Sequence, residues 1–358
     1  MRFAVVGLGG ATAMFHRPAL QRLERAELAG GFDLDPARRA DWERETRSPA
    51  YDSVDELLDR GRPEVVVVAT PPASHAELCL RAVGAGCHVF CEKPFVESAA
   101  AADRIIEAAD AAGVVAGVNH EFREHPIFRA VRDRVASGAD GRLAFCQVWQ
   151  LLDLPPWEEP NPWRAGMANR SLLEGGVHLV DLLLAIFGEP PTAVYASHSA
   201  GFHEQQDADA IQLLTVEFPG GRLGQITIDR LCPAAMRYLE VRADCERASL
   251  RASFGGRATV RVGMKRAEKP GVRVDFGPAG LAWAERGLSR TVLARNPRDA
   301  GIVGTARLLD GLVAAIDRGE DPPSSAREAR TVLAVIEAAF ESAAAGKRVE
   351  LGVPSPRG

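Results

Sequence analysis

Several marks of specialised proteins are missing from this 358-residue chain. No CxxC pair occurs: Cys79, Cys87, Cys91, Cys146, Cys232 and Cys245 are scattered. That excludes a zinc ribbon and points to reduced, mostly buried thiols. No basic surplus marks a nucleic-acid surface, since 43 Lys and Arg face 48 Asp and Glu. No apolar run reaches the ~18 residues of a membrane helix. Aromatics are few, at 6%, and neither an internal repeat nor a low-complexity tract is present. The opening MRFAVVGLGG runs straight into a strand-like segment, without the succession of a secretory leader. A cytoplasmic protein with no nucleic-acid and no membrane partner is expected.

What remains is ordinary globular composition, 46% apolar and 25% charged, in a length that suits about two domains at ~150 residues each. The first third alternates strand and helix. Strands are expected at residues 2–6, 28–32, 64–70, 88–91 and 114–118. Helices are expected at 18–25, 53–58, 75–84 and 99–112. Ser53 with Glu56 has capping-box spacing. EVVVVAT, with four consecutive valines, suits a parallel strand buried on both faces. This alternation implies a doubly wound parallel sheet.

After about residue 120 the pattern changes. A helix at 127–136 leads to a strand at 143–151, a Pro- and Trp-rich loop at 154–164 and an apolar helix at 172–187. Short β-type runs follow from 192 to 262. AIQLLTVEF, PGG and RLGQITI read as a hairpin. Residues 255–270 read as a basic edge loop and 281–295 as a helix. Two further helices, at 302–317 and 326–345, flank a DPPSS turn.

Three features carry chemistry. The first is Gly7-Leu8-Gly9-Gly10-Ala11-Thr12 after the first strand, a G-x-G-x-x-T variant of the dinucleotide fingerprint. Gly7 would make the turn, and Gly9 would admit a pyrophosphate at a helix N-terminus. Asp33 ends the second strand where a ribose-binding acid is expected. A carboxylate there favours NAD over NADP, while Arg38 and Arg39 leave NADP open.

The second is the helical stripe Glu174, His178 and Asp181, at i, i+4 and i+7 among apolar neighbours. Buried charges there need partners or a cleft. A proton-carrying histidine oriented by carboxylates is one reading, and a structural polar cluster at a domain interface is another. A third reading, a metal site, has three possible ligands and no obvious fourth, although His120, Glu121 and His125 could contribute. No metal is expected. The third feature is Lys93, which Pro94 keeps out of the helical region. It ends a parallel strand, where such sheets bind ligands.

In combination these residues resemble the Gfo/Idh/MocA oxidoreductases. The opening Gly7-to-Leu20 stretch resembles the family's first turn and helix, with His16, Pro18 and Leu20. Residues 65–95 resemble its most specific stretch, with Thr70-Pro71, His75 and the Glu92-Lys93-Pro94 signature. Asn119-to-Pro126 resembles its domain junction, Pro162-Trp163-Arg164 its W-R contact, and Glu174-to-Asp181 its D-x-x-x-H-x-x-D helix. Glu174 stands where members usually carry Asp, the preceding glycine run is replaced by ANRS, and residues 263–300 match no part of the pattern.

The resemblance implies an α/β protein. A Rossmann-type domain would span 1–119. An α+β substrate and oligomerisation domain, with a large mixed, mostly antiparallel open-faced sheet, would span 120–358. It implies an NAD(P)-dependent dehydrogenase or reductase that exchanges hydride between nicotinamide and a sugar, cyclitol or sugar derivative, working as a homodimer or homotetramer. Gly7, Gly9, Gly10, Thr12, Asp33, Thr70, Pro71, His75, Glu92, Lys93, Asn119 and Arg164 would hold the cofactor. His178 would act as general base, with Glu174 orienting it. Lys93 would stabilise the alkoxide, and Asp181 would hydrogen-bond substrate or sit behind it. A glycosidase working by transient oxidation and a non-catalytic dinucleotide sensor are the alternative readings.

Overall fold

A computed structural model describes residues 1–155, 164, 171–202, 210–233, 237–255, 257–263, 271–277 and 280–352. Residues 156–163, with Pro162 and Trp163, and residues 168–170 of the ANRS segment lie outside that set.

The first sheet has order β2-β1-β3-β4-β5 and is parallel throughout. Its strands are β1 (Arg2–Val6), β2 (Glu27–Phe32), β3 (Val65–Val68), β4 (His88–Cys91) and β5 (Ala116–Val118). All four valines of β3 are buried, as a strand covered on both faces requires. The helices are α1 (Arg17–Leu20), α2 (Pro36–Thr46), α3 (Val54–Gly61), α4 (His75–Gly84) and α5 (Ala99–Ala112). Ser53 Oγ caps α3 by accepting from Glu56 N.

The second sheet is nine-stranded and mixed, ordered β15-β14-β11-β10-β6-β9-β8-β7-β16. Its strands are β6 (Leu143–Leu151), β7 (Ala193–Ser199), β8 (Ile211–Phe218), β9 (Arg222–Asp229), β10 (Arg237–Cys245), β11 (Ser249–Gly255), β14 (Gly280–Arg286), β15 (Ser289–Arg295) and β16 (Val349–Glu350). Only β6 and β9 pair in parallel. A separate ribbon joins β12 (Arg257–Gly263) to β13 (Gly271–Gly277). One sheet face packs on α6 (Pro126–Ala136), α7 (Val177–Phe187) and the C-terminal helix.

The last two helices bind the layers together. In α8 (Ala300–Arg318), Leu308, Leu309, Leu312 and Val313 cover Phe3, Val5, Val67 and Phe90 of the first sheet. In α9 (Ala326–Ala345), Ala329 and Leu333 face the first core, whereas Val335 and Ile336 face the second. Ser325 and Glu328 form a complete capping box at its start.

Three expectations need correction. Residues 281–295 form the hairpin of β14 and β15 instead of a helix. Gly287 takes a positive φ of 55° at its turn, and the buried run Ala282–Ala284 fits a strand as well as a helix. Within the expected edge loop 255–270, residues 257–263 are strand β12. The expected 18–25 helix starts earlier and ends at Leu20. Helix α2 and the short strand β16 were not anticipated.

Candidate active site

The glycine turn is built from β1 outward. Gly7 adopts φ +93°, and a Cβ there would lie 2.5 Å from the Ala69 carbonyl oxygen, so only glycine fits. Thr12, in place of a third glycine, turns inward: its hydroxyl donates to Gly7 O at 2.5 Å. The substitution therefore staples the turn. Gly10 is not sterically demanded, since a Cβ would meet only Met14 at an ordinary 3.8 Å. Asp33 Oδ2 accepts from Leu8 N at 2.8 Å, and Arg38 Nη1 lies 3.4 Å from the same oxygen. That guanidinium also stands 3.3 Å from where a Gly9 Cβ would be. Thr70 shares a hydroxyl hydrogen bond with Ser74 at 2.7 Å and faces Gly7 across the turn. Pro71 is exposed beside it.

His75 is a staple. Its ring is fully buried, with Nδ1 3.0 Å from Pro94 O and Nε2 2.8 Å from Thr70 O. It ties the Thr70 turn to the loop carrying Lys93.

The signature residues converge where β4 and β5 end. Glu92 Oε1 meets His16 Nε2 and Asn119 Nδ2, each at 2.7 Å. Burial raises the Glu92 carboxyl, but His16, Asn119 and the Lys93 charge outweigh it and bring it down to about 2. Asn119 Oδ1 is buried with no partner among the described residues. Such an acceptor is costly unless something donates to it.

Lys93 Nζ contacts Glu174 twice, at 2.9 Å to Oε1 and 3.2 Å to the carbonyl oxygen. Arg164 Nη2 lies 3.3 Å from the same Oε1. Burial raises the Glu174 carboxyl, yet Lys93 and Arg164 hold it below the usual carboxylate range. Glu174 was expected to orient His178 from one turn away. It sits instead in a π-helical turn, Ser171–Gly176, that precedes α7. There its carboxylate pairs with Lys93 and not with His178.

His178 is buried in α7, with Phe122 stacked on its ring at 4.2 Å and 19°. Burial and the Lys93 charge keep it well below its ordinary pKa, so the imidazole is neutral at pH 7. Nδ1 has no hydrogen bond, and Glu121 Oε2 lies 3.8 Å away. Asp181 is fully buried and engaged. It receives Arg123 Nε at 2.9 Å and Nη2 at 2.5 Å, and His120 Nδ1 lies at 2.9 Å. Burial opposes its ionisation, but these partners hold it far below the usual range.

The structure thus links Glu92 with Asn119 and Lys93 with Glu174 and Arg164, and sets His178 within reach of the Lys93 and Asp181 charges. Gly7, Gly9, Gly10, Thr12, Asp33, Thr70 and Pro71 gather along the neighbouring turns. Sequence reasoning missed Arg123 and assigned Glu121 only to a conceivable metal site. The signal was the run His120-Glu121-Phe122-Arg123-Glu124-His125, dense in titratable residues yet buried. A separate cleft walled by Arg123, Glu124, Arg307 and Glu328 includes neither Lys93 nor His178 in its lining. Among the described residues, no helix is long and apolar enough to cross a membrane.

A nucleotide cradle on a parallel sheet, with Lys93 at that sheet's end meeting the Glu174–His178 segment, defines a dinucleotide-dependent oxidoreductase architecture. The chain belongs to the Gfo/Idh/MocA family. Residues 1–120 match its "Oxidoreductase family, NAD-binding Rossmann fold" domain, and residues 128–251 its C-terminal domain. The 1,5-anhydro-D-fructose reductase of Ensifer adhaerens is 35% identical over 178 residues, 48% of this chain and 52% of the reductase. The match therefore spans about half of that relative's length. D-apiose dehydrogenase of Paraburkholderia graminis is 26% identical over 351 residues, 94% of this chain and 86% of that protein. An Agrobacterium radiobacter oxidoreductase, solved with NAD+, L-tartaric acid and magnesium, superposes with a TM-score of 0.81. It is 17% identical, with 98% of each chain covered, a likeness of fold alone.

Proposed function

We propose that this protein is an NAD(P)-dependent oxidoreductase acting on a CH–OH or C=O carbon of a sugar, cyclitol or sugar derivative. The observation that carries this reading is the ion pair of Lys93 with Glu174, set beside a buried, neutral His178 at the carboxyl end of the cofactor sheet. The relatives' names, a sugar reductase and a sugar dehydrogenase, support the substrate class.

The residues present fit a nicotinamide dinucleotide. Asp33 offers a carboxylate edge for a ribose hydroxyl, and Asn119 Oδ1 needs a donor. Gly7, Gly9, Asp33, Thr70, Asn119 and Arg164 would hold it, with Thr12 and His75 fixing the turns. When bound, the nicotinamide accepts or returns hydride. Lys93, a cation locked on Glu174, binds and polarises the substrate oxygen. His178, being neutral, takes the hydroxyl proton in oxidation and gives one in reduction. Asp181 fixes Arg123 and His120 behind the site.

The open face of the nine-stranded sheet supports homodimer or homotetramer formation. Tyr195, Leu213 and Leu223 lie 42–46% exposed on neighbouring strands there.

The test is a fluorescence titration with NADH and NADPH, followed by a screen of sugars and cyclitols for hydride transfer. Tighter NADH binding with turnover supports the reading. Inexchangeable cofactor without net turnover shifts it to glycoside cleavage by transient oxidation. Failure to bind either cofactor overturns it.

A further inference from the structure

Four carboxyl groups crowd the site, and three are engaged. Glu92 is held by His16 and Asn119, Glu174 by Lys93 and Arg164, and Asp181 by Arg123 and His120. Glu121 is the fourth. Among the described residues, its carboxyl has no Lys or Arg ion pair; beyond the hydrogen bond from its own backbone amide, it approaches His178 Nδ1 at 3.8 Å. Both side chains are buried, and Nδ1 is otherwise unpartnered. The next residue, Phe122, stacks on the imidazole and fixes its plane. With Nδ1 turned to Glu121, Nε2 is the nitrogen left for substrate.

We propose that Glu121 is the proton partner of His178, accepting the Nδ1 proton as Nε2 takes the substrate's hydroxyl proton, and returning it in reduction. The assignment rests on the oxidoreductase reading above. In oxidation the substrate carbon's hydride leaves with its electron pair to the nicotinamide dinucleotide, and the carbon–oxygen double bond forms. The hydroxyl proton moves to Nε2, the Nδ1 proton moves to Glu121 Oε2, and the imidazole ends neutral with its tautomer reversed. Glu121 acts through His178 and does not touch the substrate.

The surroundings favour such a relay. A buried imidazole near the Lys93 charge resists becoming a cation, so a base that passes its proton on avoids that cost. The groups facing Glu121 are Glu92 and Lys93 at the end of β4, and His178 and Asp181 on α7. Gly304 of α8 leaves room for this turn: a Cβ there would lie 2.6 Å from the Glu121 carbonyl oxygen and 3.3 Å from the Glu121 Cβ. Burial and the Glu92 charge push the Glu121 carboxyl up to about 8. It therefore exchanges a proton close to neutrality, as a relay terminus requires. The 3.8 Å separation has to shorten by ~1 Å in the loaded complex, a usual change for hydrogen bonds at reacting sites.

The experiment compares wild type with Glu121→Gln and Glu121→Asp. Two quantities are followed across about pH 6 to 9: the denaturation midpoint, and kcat for oxidation of whichever polyol the screen yields. A raised carboxyl contributes stability that is present below the ordinary carboxylate range and lost as pH rises through about 8. The wild-type midpoint is expected to fall across this window, and the Gln variant's to stay level. Wild-type kcat for oxidation is expected to rise through about pH 8. Glu121→Gln should lose that limb and ~10-fold or more in kcat, with NADH affinity unchanged and partial recovery in Glu121→Asp. Wild-type turnover with the same pH profile and rate in Glu121→Gln overturns the Glu121 assignment and leaves the oxidoreductase reading standing. Absence of hydride transfer from every polyol overturns both.

Discussion

Lys93 and Glu174 are 81 residues apart in sequence and meet at 2.9 Å, the lysine from the cofactor sheet and the glutamate from the turn before α7. The pair ties the end of β4 to the turn before α7. Removing its negative charge while keeping its shape isolates the effect. Glu174→Gln is expected to lower turnover ~10-fold or more through loss of a positioned cation, with NADH binding retained. The Glu174 carboxyl lies below its ordinary range because Lys93 and Arg164 outweigh burial. It therefore contributes stability that is present above the unfolded carboxyl pKa and lost as pH falls through the lowered folded value. Melting temperatures across the acid range should fall less steeply in the variant than in wild type.

His178 is neutral and buried beneath Phe122. His178→Ala is expected to cut kcat ~100-fold or more, the usual scale for a general acid–base group, with little change in cofactor affinity. Single-turnover hydride transfer, followed by nicotinamide absorbance, checks this. Unchanged single-turnover rates would remove His178 from the chemistry.

The sequence disclosed what local chemistry encodes. EVVVVAT suited a doubly covered strand, and Ser53 with Glu56 marked the start of α3. Glycine spacing located the turn at Gly7. The Lys93–Glu174 and Arg123–Asp181 pairs were not legible, because each joins elements separated by a long stretch of chain and chosen by tertiary packing. The π-helical turn hid in the same way. Helical spacing put Glu174 on the His178 stripe, but it could not show that Lys93, 81 residues away, takes its carboxylate. In residues 281–295 small alanines fit both periods, and the deciding factor was the free edge of β11, which β14 occupies.

Tyr195, Leu213 and Leu223 are 46%, 44% and 42% exposed on β7, β8 and β9. These exposed side chains share the sheet face proposed above for association. Leu213→Glu combined with Leu223→Glu places like charges on adjacent strands of that face. Sedimentation velocity is expected to show a dimer or tetramer for wild type and a monomer for the double variant. A monomeric wild type would refute the proposed assembly.

Arg123 and Asp181 form the most deeply buried ion pair of the site, with two hydrogen bonds between them and His120 against the same carboxylate. Such a pair costs more to break than to replace, because one partner alone is a charge without solvent. Asp181→Asn leaves the guanidinium with Glu328 and is expected to destabilise the fold by ~3–5 kcal/mol. Replacing both, as Arg123→Met with Asp181→Leu, should recover most of that loss. The sign with pH follows from the strongly depressed Asp181 carboxyl. Its contribution is present above the ordinary carboxylate range and is lost only in strongly acid solution, as pH falls through the folded value. Urea midpoints of the single and double variants at neutral pH decide the matter. Equal losses in the two would mean that the pair itself, and not the stranded charge, sets the stability of this junction.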